Sequence, residues 1–211
     1  MHFRLALLLL AAATGVASAS DAPLQALGDP VVLNYAYTGH VSPDGSVTHL
    51  NGTIAISKTN ASLASVSIRH DGKVSLIEAT LHDDGDLTAA TKTSDLLELY
   101  NAIPQVLYAH RDSGDQSSWA ASIPVKVSPT EWKEVPVKVT ATNHNGSVTL
   151  NVSGSYSNIV INHGFTVGED VSVAGQLVCD NANVMSAHFN VHEVVHTFTD
   201  IPIAYEWTMS R

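Results

Sequence analysis

Hydrophobic and polar residues alternate with a period of two over most of this chain. Val31, Leu33, Tyr35 and Tyr37 alternate with Val32, Asn34, Ala36 and Thr38, and Leu50, Ile54 and Ile56 repeat the pattern. Ala64, Val66 and Ile68 pair in phase with Ile77, Ala79 and Leu81 across an Asp71-Gly72 turn. Such alternation predicts strands with one buried and one wet face. Asp44-Gly45, Asp71-Gly72 and Asn145-Gly146 each join two β-rich runs, and these dipeptides tolerate the positive φ of tight hairpin turns. Asp83-Asp84-Gly85-Asp86 predicts a fourth, longer turn. Further runs follow at Val125, Val135–Val139, Val148–Val152, Ile159–Ile161, Val171–Val173, Gln176–Cys179, 184–199 and Ile203–Trp207.

The period changes once. Leu96, Leu99, Tyr100, Ile103 and Leu107 recur at three and four residues, and Asp95 with Glu98 resembles a capping box. Pro104 disfavours a helical Ile103. The pattern predicts a helix over about Ser94–Asn101, then a kink or second turn ending near His110. About eleven or twelve strands are expected, a number that curls or splits into two layers. The fold class is therefore mostly β: an antiparallel sandwich or incompletely closed barrel, with one mid-chain helical segment, Ser94–Tyr108, packed on the sheet.

That layout of a curved sheet with one covering helix resembles the LolA-type lipoprotein carriers of the bacterial periplasm. The resemblance is architectural, and no residue role follows from it. It implies an apolar sheet face that encloses a lipid-like ligand beneath a helical lid.

The first residues, MHFRLALLLLAAATGVASAS, have the form of a secretory signal. Arg4 supplies the positive start, Leu5–Ala13 the apolar core and Ala17-Ser18-Ala19 the cleavage site. Residues 1–19 are read as the signal and 20–211 as one mostly-β domain, with a two-part organisation near 111–120 as the alternative. Gly45-Ser46-Val47-Thr48 before Leu50 recurs as Gly146-Ser147-Val148-Thr149 before Leu150, a faint echo between the halves. No later run approaches the roughly 20 apolar residues of a membrane-spanning helix. The expected location is secreted or periplasmic.

The whole chain carries a formal charge of −10, and removing Arg4 with the signal makes it −11. Such acidity argues against nucleic acid and anionic membrane surfaces as partners. The single Cys179 excludes an intramolecular disulfide framework and reads as a strand residue. Four Asn-x-Ser/Thr sequons, at Asn51, Asn60, Asn145 and Asn151, are glycan acceptors only in a eukaryotic secretory host.

One stretch offers chemistry. His192-Glu193-Val194-Val195-His196 matches the H-E-x-x-H pattern of zinc peptidases. On a helix, His192 and His196 share one face and bind zinc, Glu193 activates water, and Asp200 is the third ligand. On a strand the same histidines stand roughly 13 Å apart. Val191, Val194, Val195, Thr197 and Thr199 are β-branched and favour the strand. Period two then sets Glu193 on the parity of Phe189, Val191 and Val195, opposite His188, His192 and His196. Together these patterns predict an exported non-catalytic domain with no cofactor, whose partner is a hydrophobic small molecule or lipid. The alternative is a zinc metallopeptidase.

Overall fold

The computed structural model describes residues 31–41, 45–59, 62–94, 106–114, 117–126, 132–144, 147–162, 164–180 and 183–211. Twelve strands follow one another: β1 (Val31–Val41), β2 (Ser46–Lys58), β3 (Leu63–His70), β4 (Lys73–Leu81), β5 (Leu87–Ser94), β6 (Val106–Arg111), β7 (Ser118–Lys126), β8 (Trp132–His144), β9 (Ser147–Asn162), β10 (Phe165–Asp180), β11 (Asn183–His196) and β12 (Asp200–Ser210). Each is antiparallel to its neighbour in sequence. β1 then pairs with β12, from Asn34↔Ser210 to Val41↔Ile203, and closes the sheet into a barrel. The expected mostly β, antiparallel architecture is what the structure shows, and its wall is continuous. This closed ring departs from the open, curved sheet of the LolA-type carriers.

The turn chemistry does what its residues allow. Asp71 and Gly72 both have positive φ, 46° and 77°, joining β3 to β4 in two residues. At the β4–β5 connection the Gly85 and His82 amides bond to the His82 and Asp86 carbonyls. The signal segment and residues 95–105, which carry most of the expected helix, lie outside the described residues. Its expected continuation to His110 is corrected, because 106–111 form strand β6 paired with both β5 and β7. Tyr108 and His110 are exposed while Ala109 is buried, so the local period is two. Among the described residues no helix is long and apolar enough to cross a membrane.

Alternation places the apolar parity inside. Leu33, Ile54, Leu87, Trp119, Leu150, Phe189 and Trp207 are each less than 2% exposed. They belong to one cluster that takes residues from all twelve strands. A round tube of twelve strands would be wider than the eight-strand barrel whose side chains just fill it. The apolar parity of all twelve strands therefore lines the inside of one closed barrel. Phe189 lies over its cross-strand partner Gly175, where any Cβ would collide with the ring. Outward positions such as Glu134, Lys138, His188 and His192 are exposed. A membrane barrel shows the reverse, an apolar exterior around a polar lumen.

The repeated Gly-Ser-Val-Thr stretch does not repeat its environment. Val47 is 47% exposed, whereas Val148 is 8% exposed in the core.

Candidate functional site

Strand β11 carries the H-E-x-x-H stretch, and its pleat separates the groups the motif would have to combine. His192 points outward and is exposed, while Glu193 points inward and is only 2% exposed. His196 shares the outer face with His192 but sits four residues along the strand, about 13 Å away. The geometry brings none of His192, Glu193 and His196 to a common point. Among the described residues no three His, Cys, Asp or Glu side chains converge on a position for a metal ion.

His196 has other partners. Its Nδ1 lies 2.8 Å from an Asp200 carboxylate oxygen, and its Nε2 lies 3.1 Å from one of Asp170. Two ring nitrogens facing two carboxylates favour the imidazolium, in which both nitrogens donate. The bond to Asp200 and then the bond to Asp170 raise its pKa above the ordinary histidine value. Bonds from Ser157 and then His196 hold Asp170 below the usual carboxylate range. Asp200, the candidate third zinc ligand, is thus joined to His196 in an outer-face polar row. Asp170 was not picked out from sequence, because its approach to His196 depends on the β10–β11 register.

Behind that face is a buried acid pair. Val171 stands opposite Glu193, and Val195 opposite Glu169, so the two carboxylates are diagonal neighbours inside the barrel. Glu169 is 7% exposed. Burial, then the charge of Glu169, pushes Glu193 up to about 7. Glu193 therefore keeps its proton to higher pH than an exposed carboxyl, as expected where two carboxylates share a low-dielectric site. Nearby Tyr205 is raised to about 12, by burial first and by Glu193 second. Tyr205 also stacks on Tyr37, with ring centroids 6.4 Å apart, and Tyr37 packs on Trp207 at 4.6 Å. Glu169 was missed from sequence, although a charged residue in phase with Val171 and Val173 was a legible sign.

On the outer wall β1, β12 and β11 form a groove of about 280 Å³ lined by Thr38, His40, His188, Asn190, His192, Ala204, Tyr205 and Glu206. His188 donates from Nε2 to Glu206, 2.9 Å away. The groove exists because β12 places small Ala204 between His40 and His192, which stand opposite it on either side.

A second polar anchor ties the β4–β5 connection to β6 and β7 at the other end of the barrel. Asp86 accepts from the Arg111 amide and from His110 Nδ1, each at 2.7 Å. Burial alone would raise Asp86, but these two bonds outweigh it and hold the carboxyl below its ordinary value. Trp119 donates its indole N–H to the Gly85 carbonyl at 3.0 Å. Cys179 is half-buried, and burial pushes its thiol up to about 12, so it is not a ready nucleophile.

Large apolar side chains are exposed mainly at one end. Ile159, Val160, Ile161 and Val167 lie on the β9–β10 hairpin, exposed by 43%, 56%, 81% and 40%, and Phe198 lies at the β11–β12 turn at 86%. In an up-and-down ring both connections fall at the same end. The β8–β9 ladder stops at Val137↔Gly154, where the Pro136 carbonyl and Val137 leave no space for a side chain on Gly154. Beyond it, Ser155–Asn162 is paired only with β10 among the described residues. The ribbon thus presents its apolar residues beyond the continuous wall. The sequence matches no protein-family model and no curated protein sequence.

Proposed function

We propose that this chain is an exported, non-catalytic binding domain that takes a hydrophobic small molecule or lipid at the β9–β10 end of its barrel. The observation that carries this reading is the concentration of Ile159, Val160, Ile161, Val167 and Phe198 at that end, on a barrel whose outward positions are otherwise largely polar. Exposed apolar surface rimmed by polar residues is characteristic of interaction sites. The inward orientation of Glu193 supports the non-catalytic assignment, because a general base must reach the water it activates. Export rests on the form of residues 1–19.

The test uses the neutral apolar probe N-phenyl-1-naphthylamine. Its fluorescence should rise saturably with the full chain and fall several-fold in a variant carrying Ile161→Ser and Phe198→Ser. An unchanged titration in that variant, with circular dichroism showing an intact fold, would overturn the assignment. Mass spectrometry of the exported protein should find its first residue near Ser20. An uncleaved N-terminus would count against export by this route.

A further inference from the structure

Strand β9 is paired on both sides for half its length and on one side for the rest. Its ladder with β8 runs from His144↔Ser147 to Val137↔Gly154. The next β8 residue, Pro136, has no amide hydrogen to donate, and its carbonyl lies against Gly154 where any side chain would collide. Among the described residues, 132–136 of β8 continue against β7 alone and 155–162 of β9 against β10 alone. The free edge of 155–162 therefore offers a row of backbone N–H and C=O groups to a further strand. Sheets commonly guard such an edge with charge, proline or brevity. This one runs for half of a long strand without a proline, and the whole run 139–168 holds no Asp, Glu, Lys or Arg. Its exposed apolar residues also point both ways: Ile159 and Ile161 to the outer face, and Val160 on the inward parity of Val152. A ligand resting on one face leaves the other wet. A strand added at the edge covers both, because its side chains become cross-strand neighbours on each face.

We propose that residues 155–162 are a self-association edge, to which β9 of a second copy adds antiparallel so that two barrels join across a two-fold axis. Charge selects the second copy as the occupant. The chain has a formal charge of −10, and two such chains repel wherever their acidic surfaces meet. The uncharged β9 strand is where they can approach without opposed like charges. Antiparallel pairing about a two-fold axis sets the same strand against itself, so Ile159, Val160 and Ile161 of each copy meet β-branched or uncharged neighbours. Each copy spends its single edge in the contact, so assembly closes at the dimer. The contact lies on the β8 side of β9. Val167 on β10 and Phe198 on the β11–β12 turn lie to the other side, so the inference does not rest on ligand binding at the barrel end.

The experiment is sedimentation velocity of the purified full chain over a concentration series, paralleled by hydrogen–deuterium exchange read by mass spectrometry. A monomer–dimer equilibrium is expected. Amides within 155–162 should gain protection as concentration rises, while those of the β3–β4 hairpin stay unchanged. Ile159→Lys with Ile161→Lys should weaken dimerisation at least tenfold, because like charges then face one another across the edge. Phe198→Ser should leave it unchanged. Circular dichroism confirms that each variant remains folded, as these side chains are exposed. A monomer at every concentration, a dimer that survives the two lysines, or protection gained elsewhere and not within 155–162 would overturn the proposal. Tenfold weakening by Phe198→Ser would move the contact to the apolar rim and overturn it as well. A dimer that forms while the apolar probe fails to bind would overturn the ligand reading alone.

Discussion

Replacing Glu193 by Gln isolates the cost of an ionisable group inside the barrel. Glu193 is 2% exposed, and its carboxyl is pushed from 4.5 to about 7. The unfolded chain loses this proton near 4.5, whereas the folded chain keeps it until about 7. Between those values folding takes up a proton, so the contribution of Glu193 is most favourable below 4.5 and declines as pH rises through about 7. At about 1.4 kcal/mol per pH unit, the interval amounts to roughly 3 kcal/mol once the carboxylate is fully ionised. The amide carries no charge but must still find hydrogen-bond partners, which lowers the expected gain to about 1–3 kcal/mol at pH 8. Urea unfolding of both proteins at pH 4.5, 6 and 8 gives the difference directly, free of the other carboxylates that titrate in both. The variant should match the parent at pH 4.5 and exceed it progressively toward pH 8. A difference independent of pH, or a variant less stable at pH 8, would refute the buried acid pair.

Two further outcomes follow from the packing and the outer polar row. Phe189→Ala should cost about 3–5 kcal/mol in urea unfolding, as for a fully buried aromatic ring, and Gly175→Ala should destabilise because its methyl collides with that ring. A loss below about 1 kcal/mol in Phe189→Ala would show that the site is solvated. By nuclear magnetic resonance the His196 ring should titrate above 6.5, and Asp170→Asn with Asp200→Asn should lower that midpoint. Its contribution to stability should be fully present below 6.5 and disappear as pH rises through its folded value. An unchanged midpoint in the double variant would contradict the bonding seen.

Much of the fold was legible because the dominant signal is local. Asp71-Gly72 specifies a primed turn by its own conformational preferences, and Val31, Leu33 and Tyr35 declare their inner face by alternation. The parity that puts Glu193 inside and His192 outside was equally local. What escaped the sequence is what register decides. Ring closure depends on β1 meeting β12 across more than 160 residues. The groove depends on Ala204 lying between His40 and His192, and the acid pair on β10 sliding against β11 until Glu169 and Glu193 become diagonal neighbours. Ile159 and Ile161 continue a period-two run, yet the inward parity of Val148, Leu150 and Val152 leaves them outside. Leu107, assigned to the helical stripe on spacing, belongs to a strand, because pairing between β5 and β7 governs residues 106–111.

Cysteine scanning of residues 188–193, in a Cys179→Ser background, tests the central claim most directly. Each position is replaced singly, and the rate of reaction with a maleimide is measured on the folded protein. Cysteines at His188, Asn190 and His192 should react readily, and those at Phe189, Val191 and Glu193 should be protected by at least tenfold. Protection with a period of three to four residues, or a reactive cysteine at Glu193 beside that at His192, would place the motif on a helix and contradict the barrel strand.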